Sequence, residues 1–276
     1  MEGDRRPVGV LDSGLGGVSV LRHLRRLVPG EGIVYAADTA WCPYGPRPAG
    51  EVRARVESVV QSLQEREAKL VVLACNSAST VALETLRRRW PRLPFVGTEP
   101  AVKPAALRSR TGRVGVLATS TTARGAPLAR LIERFADTQG VTVEVAVPEG
   151  LVELVERGEG NSGAAEEVLR PILEGWQAVG VDVVVLGCTH FPFARRAIER
   201  LVTQPGGNGM EVLDPAPAVA RQAVRLLDGA GALAPAGSAG GVVFLTSGDA
   251  TAFRGMLGRL WPAGRALLRA APVRPL

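Results

Sequence analysis

Lys69-Leu-Val-Val-Leu-Ala-Cys75-Asn76-Ser77-Ala78 and Asp182-Val-Val-Val-Leu-Gly-Cys188-Thr189-His190-Phe191 are two versions of one segment. Each is a short β-branched apolar run that ends in a small residue, then a cysteine, then side chains able to donate and accept hydrogen bonds. Apolar runs of this length without polar interruption suit strands buried on both faces, as in parallel sheets covered by helices. A second pair repeats the relation: Val8-Gly9-Val10-Leu11-Asp12-Ser13 returns as Val114-Gly115-Val116-Leu117-Ala118-Thr119-Ser120. Self-similarity at a near-constant interval marks a structural unit used twice. In open α/β sheets ligands sit beyond the carboxyl ends of the strands, so both cysteines are expected at a site rather than in packing.

Helical spacing fills the intervals. Val52, Val56, Val59, Val60 and Leu63 recur with a helical period between the runs Ile33 to Ala36 and Leu70 to Ala74, and Phe95 to Gly97 is a further strand. The second half has strands at Val114 to Leu117, Val141 to Val147 and Val183 to Gly187. Between them, Leu128, Leu131, Ile132 and Phe135, then Val168, Leu169, Ile172, Leu173 and Trp176, fall on helix faces. The alternation predicts an α/β fold with a mainly parallel, layered sheet in each half. Crossings between the halves are expected at the proline-bearing segments Pro91 to Pro104 and Pro205 to Pro217. Gly229 to Gly241 reads as a flexible surface loop, followed by a strand at Val242 to Thr246 and a helix around Phe253 to Leu260.

With 276 residues the chain has room for about two domains of ~150 residues each. Three cysteines without a Cys-x-x-Cys pair argue against a disulfide framework and a zinc site, and fit reduced thiols in a cytoplasm. No secretory signal or membrane span is read. The net charge of +6 invites a nucleic-acid partner. Its arginines, however, are interleaved with glutamates, as in Glu51-Val-Arg-Ala-Arg-Val-Glu57, with no basic block and no aromatic platform, so no nucleic acid is expected. A cationic cleft that draws in a small anion is the more useful reading.

Asp12-Ser13-Gly14-Leu15-Gly16-Gly17 opens the first helix, and its glycines let backbone N–H groups approach an anion. A dinucleotide loop is the competitor, with Asp38 following about 20 residues later. Ser19 stands where the third small residue belongs, and the Asp12 carboxylate would repel a pyrophosphate. A plain βα turn capped by Asp12 remains an alternative. Asp38 leads to the Pro43-Tyr44-Gly45 turn, which presents backbone N–H groups and a phenol; Cys42 lies off a strand end and reads as a bystander. For the cysteines, metal ligation is poorly supported because the chain has only two histidines, His23 and His190. Cys188 with His190 as base could serve a nucleophilic hydrolase. Two matched cysteines better suit opposed acid/base groups, one removing a proton from carbon and the other returning it on the opposite face. No lysine is placed to hold pyridoxal phosphate, so no cofactor is expected.

Taken together, Asp12-Ser13-Gly14-x-Gly16-Gly17, Asp38 with Pro43-Tyr44-Gly45, Ala74-Cys75-Asn76-Ser77-Ala78, Gly187-Cys188-Thr189-His190-Phe191-Pro192 and the late Phe244-Leu-Thr-Ser-Gly248 resemble the glutamate racemases of the aspartate/glutamate racemase family. The resemblance runs through essentially the whole chain. It implies two pseudo-symmetric flavodoxin-like domains, residues 1–97 with 213–276 and residues 98–212, and an active site in the cleft between them. It implies cofactor-independent interconversion of L- and D-glutamate for peptidoglycan synthesis by a cytoplasmic homodimer. Cys75 and Cys188 would be the catalytic pair, Asp12 assisting the first and His190 with Glu156 the second; Glu153 is one register away. Asp12, Ser13, Pro43, Tyr44, Gly45, Cys75, Asn76, Ser77, Cys188, Thr189 and His190 would bind substrate. The family more often has threonine at Ser77 and tyrosine at Phe191. Aspartate racemases tend to carry glutamate after the second Cys-Thr, so His190 favours glutamate.

Overall fold

A computed structural model describes residues 3–203, 209–264 and 271–276. Two compact units form: Met1–Thr98 with Ala216–Leu276, and Glu99–Pro215. The first unit begins with β1 (Val8–Asp12), α1 (Val18–Leu27), β2 (Ile33–Ala37), α2 (Ala49–Glu65), β3 (Leu70–Leu73), α3 (Asn76–Arg89) and β4 (Phe95–Gly97). The second contains α4 (Val102–Arg108), β5 (Arg113–Ala118), α5 (Ser120–Ala123), α6 (Ala126–Phe135), β6 (Thr142–Ala146), α7 (Leu151–Glu156), α8 (Gly163–Ala178), β7 (Val183–Gly187), α9 (Arg195–Val202) and β8 (Glu211–Leu213). The chain then completes the first unit with α10 (Ala216–Gly229), β9 (Val242–Thr246), α11 (Ala250–Leu260) and β10 (Val273–Pro275).

Both sheets are parallel and share a core order. The first runs β10-β9-β2-β1-β3-β4 and the second β6-β5-β7-β8. Within each, the second strand of the unit lies on one side of the first and the third on the other. This 2-1-3-4 succession is that of flavodoxin-like doubly wound sheets, with its topological switch point between first and third strands. The register makes the duplication specific. Leu11 pairs with Leu73 across β1 and β3, and Leu117 with Leu186 across β5 and β7. Each cysteine therefore lies two residues beyond the equivalent leucine, at the switch point of its own sheet.

The apolar periods explain the layers. Val52, Val56, Val59, Val60 and Leu63 of α2 turn one face onto the first sheet, against Val71, Leu73 and Phe95. Val102, Ala105 and Ala106 of α4 and Leu128 of α6 join Val114, Val116, Val183 and Val185 in the second core. Both strands that precede the cysteines are buried throughout, as the uninterrupted β-branched runs require.

Three local outcomes differ from or extend the sequence reading. The short elements α7, β8 and β10 carry too few periodic positions to be read from pattern alone. The segment expected to be a flexible loop is anchored: Ala234 N donates to Glu31 Oε1 at 2.6 Å and Asp4 N to Leu233 O at 3.1 Å. Its small residues permit that close docking, since a Cβ on Gly240 would come within 2.4 Å of the Pro29 and Glu31 carbonyl oxygens. Part of the crossing read at Pro205 to Pro217, residues 204–208, lies outside the described residues.

Candidate active site

Asp12 closes β1 at the centre of the first sheet and is wholly buried. A buried carboxylate is tolerable only when hydrogen-bonded, and its Oδ2 accepts the N–H groups of Gly14 at 3.1 Å and Gly17 at 3.0 Å. The glycines of this turn serve packing as well as flexibility. A Cβ on Gly17 would lie 2.9 Å from both Asp12 Cβ and Tyr35 Oη and 3.0 Å from Ala74 Cβ. Tyr35, central in β2, donates to Gly14 O at 3.0 Å and fixes the turn from below.

Cys75 leaves β3 in extended conformation and is the N-cap of α3, its sulfur accepting the N–H of Ala78 at 3.5 Å. Helix N-termini stabilise anions, so this position favours the thiolate over the thiol. Ser13 Oγ lies 3.9 Å from Cys75 Sγ. Cys42, read as a bystander, has its sulfur 4.0 Å from the same hydroxyl. Asn76 and Ser77 follow as the first two residues of α3, both buried. Among the described residues neither Asn76 Oδ1 nor Asn76 Nδ2 finds a hydrogen-bond partner. An unsatisfied buried polar group costs about 1–3 kcal/mol, which a bound ligand can restore.

Pro43, Tyr44 and Gly45 follow a short 3-10 turn, Thr39–Trp41, at the carboxyl end of β2. Tyr44 and Gly45 are buried, and Tyr44 Oη donates to Asp38 Oδ2 at 2.7 Å. Burial, followed by the nearby Asp38 charge and that hydrogen bond, pushes the phenol pKa far above its ordinary value, so Tyr44 stays protonated. The late Phe244-Leu-Thr-Ser-Gly248 motif abuts this turn. Thr246 Oγ1 is 2.7 Å from Thr39 Oγ1, and Gly248 N donates to Thr39 Oγ1 at 3.0 Å.

The second unit places a different chemistry at the equivalent strand end. Cys188, Thr189 and His190 follow β7 and all three are buried. Cys188 Sγ lies 3.7 Å from His190 Nδ1, and His190 Nε2 is 2.6 Å from Glu156 Oε1, at the last residue of α7. A carboxylate on one ring nitrogen orients the imidazole and favours its protonated form, leaving the other nitrogen to face sulfur. Glu153, the other acidic candidate, is exposed on α7. Thr189 Oγ1 has no partner among the described residues. Gly187 is required by close approach, since a Cβ there would stand 2.6 Å from Leu117 O. Phe191 starts a 3-10 turn and is buried, so a hydroxyl on its ring would need a partner.

Asp12, Ser13, Pro43, Tyr44, Gly45, Cys75, Asn76 and Ser77 thus collect at strand ends of the first sheet, and Cys188, Thr189, His190 and Glu156 at one strand end of the second. Residues that the sequence reading left without a role also stand here. Arg55 reaches Asp38 from α2, and its only sequence signal was an arginine interleaved with glutamates.

The sequence model of the family described as Asp/Glu/Hydantoin racemase matches residues 8–223. A glutamate racemase of Pseudomonas putida strain F1 is 44% identical over 256 residues, 92% of this chain and 94% of that protein. Among solved structures, Escherichia coli glutamate racemase in complex with L-glutamate and the activator UDP-MurNAc-Ala matches with TM-score 0.81 and 33% identity, covering 98% of each chain. Thermus thermophilus glutamate racemase in complex with β-chloro-D-alanine matches with TM-score 0.81 and 33% identity, covering all of this chain and 98% of that one.

Proposed function

Since the chain belongs to the Asp/Glu/hydantoin racemase family, we propose that this amino-acid racemase interconverts L- and D-glutamate with two of its own thiols. The observation that carries the reading is the matched pair of strand-end cysteines, each beside a buried polar side chain that finds no hydrogen-bond partner among the described residues, Asn76 in one unit and Thr189 in the other. Glutamate brings carboxylate oxygens and an ammonium group able to satisfy such atoms, while the thiols address its α-carbon.

A free thiol titrates near ~8.5, whereas the α-proton of an amino acid is far less acidic. The reaction therefore needs one ionised thiol and stabilisation of the carbanion. In one direction Cys75 acts as thiolate, prepared by the start of α3 and the Ala78 N–H, and takes the α-proton with Asp12 as its helper. Cys188, protonated and backed by the His190–Glu156 pair, delivers a proton to the opposite face. The other direction exchanges the roles. Ser13, Pro43, Tyr44, Gly45, Asn76, Ser77 and Thr189 hold the substrate. The proton inventory closes on the two thiols, so the chemistry calls for neither pyridoxal phosphate nor a metal. By the same family reading the protein works in the cytoplasm as a homodimer and supplies D-glutamate for peptidoglycan. Among the described residues no helix is long and apolar enough to cross a membrane.

The test offers L-glutamate or D-glutamate to dialysed, chelator-treated protein in deuterated water and follows the α-proton by NMR. Wild type is expected to invert both enantiomers with deuterium incorporation. Cys75→Ser and Cys188→Ser should each lose at least about 10²–10⁴-fold in turnover, because a hydroxyl is much harder to ionise than a thiol. Normal turnover in Cys75→Ser, with a covalent adduct on Cys188, would replace this reading by nucleophilic catalysis.

A further inference from the structure

Asp38, just beyond β2, has a fully buried carboxylate that none of the proposed proton transfers uses. Tyr44 Oη donates to its Oδ2 at 2.7 Å, while Arg55 donates through Nε to Oδ2 at 3.0 Å and through Nη2 to Oδ1 at 2.8 Å. Arg55 is itself braced, its guanidinium carbon 4.9 Å from the centre of the Trp41 ring. Arg47 lies at 4.9 Å from the same ring and donates through Nε to Trp41 O at 2.7 Å. Burial disfavours the charged carboxylate, yet hydrogen bonds from Arg55, Tyr44 and Ser247 and the Arg55 charge outweigh it and hold its pKa below the ordinary range.

The consequence lies in the phenol. A tyrosine hydroxyl has one proton to give, and Tyr44 gives it to Asp38. Everything else near that oxygen meets only lone pairs. Tyr44 and Cys75 belong to one buried cluster. We infer that Asp38, backed by Arg55, is a positioning residue of the racemase site: by taking the only proton of Tyr44 it makes the phenol oxygen an acceptor toward substrate and Cys75, and it locks the Pro43-Tyr44-Gly45 turn. An acceptor at that point welcomes the substrate ammonium or a protonated thiol. A donor would instead bind the thiolate and blunt it as a base. The inference rests on the two-thiol reading for what the turn binds, but the orientation of the phenol stands on the geometry alone.

The chain has two tyrosines, Tyr35 and Tyr44, so carbon-13 labelling of the phenol carbon yields two NMR resonances, assigned with Tyr44→Phe. Asp38→Asn is expected to move the Tyr44 resonance while Tyr35, bonded to Gly14 O, stays in place. It should raise KM for glutamate about tenfold or more, the scale of losing one charge-assisted hydrogen bond, with a smaller change in kcat. In a Tyr44→Phe background the same change should add little. Arg55→Lys should retain more of the wild-type KM than Arg55→Gln, and these two variants, at a part-buried position, serve if Asp38→Asn fails to fold. An unmoved Tyr44 resonance, or effects of Asp38→Asn and Tyr44→Phe that multiply fully, would overturn the inference. Wild-type protein that does not racemise glutamate, combined with the expected shift of the Tyr44 resonance, would overturn the glutamate reading and leave the orientation of Tyr44 intact.

Discussion

Gly17 shows how a single missing methyl group shapes the turn after β1. Its N–H holds the Asp12 carboxylate, and the space a Cβ would need is taken by Asp12, Tyr35 and Ala74 at 2.9–3.0 Å. Two of those three contacts are Cβ atoms, of Asp12 and Ala74, whose positions the backbone fixes, so side-chain rotation cannot relieve them. Gly17→Ala should therefore displace Asp12 from the start of α1 and cost about 1–3 kcal/mol by overpacking. On the two-thiol reading, proton exchange at glutamate should fall with it, measured as deuterium wash-in. Unchanged stability and unchanged exchange would show that the turn is looser than its contacts indicate. The glycine run was conspicuous in the sequence, but its spacing also fitted a nucleotide-binding turn. The contacts of Gly17 and Asp12 separate the two, because the carboxylate already occupies the N–H groups that a phosphate would need.

Among elements, β3 follows directly on a charge, Lys69, at the edge of an otherwise apolar run. Lys69, the residue before it, pairs with Glu31 at 2.7 Å with both side chains about 1% exposed, and its Nζ donates to Asp4 O at 2.6 Å. Glu31 in turn accepts from Ala234 N, so one ion pair ties the first strand's approach, β3 and the small-residue segment before β9 together. Removing one member of a buried pair leaves an uncompensated charge, at a cost of about 3–5 kcal/mol. Lys69→Ala should lower the denaturant midpoint accordingly, and Lys69→Met with Glu31→Leu should recover much of the loss. A single Lys69→Ala variant as stable as wild type would contradict the pair's burial. Sequence pattern offered Lys69 only as the start of a strand, since its partner comes from a separate loop.

For the whole molecule, each unit closes on its own sheet, and acid should test the second through Asp182. Its carboxylate accepts Ser109 Oγ at 2.6 Å and the N–H groups of Arg110 at 2.6 Å and Thr111 at 3.1 Å. Burial opposes the charge, but these hydrogen bonds prevail and lower its pKa. A carboxylate with a depressed folded-state pKa contributes stability that is complete above the unfolded value of ~3.9 and is lost as pH falls through the folded value. Asp182→Asn should thus be less stable than wild type near neutrality, with a shallower loss below about pH 4. Parallel acid titrations of the two proteins, read by circular dichroism, check this. Identical acid limbs would mean that Asp182 gains nothing from its three donors.

The two-fold use of one βα plan, the parallel sheets and the placement of both cysteines at strand ends followed from sequence alone. Buried parallel strands must be continuously apolar, and the polar residues that end them must emerge at the carboxyl edge. Short elements such as α7 and β8 left no such trace, because a few residues cannot display a period. Tertiary structure alone decided which side chains meet. Glu156 rather than Glu153 reaches His190 because α7 docks with residue 153 outward, and Arg55 finds Asp38 across α2 and β2. Such pairings depend on how helices lie on a sheet, and no local periodicity encodes the identity of a partner brought from another element.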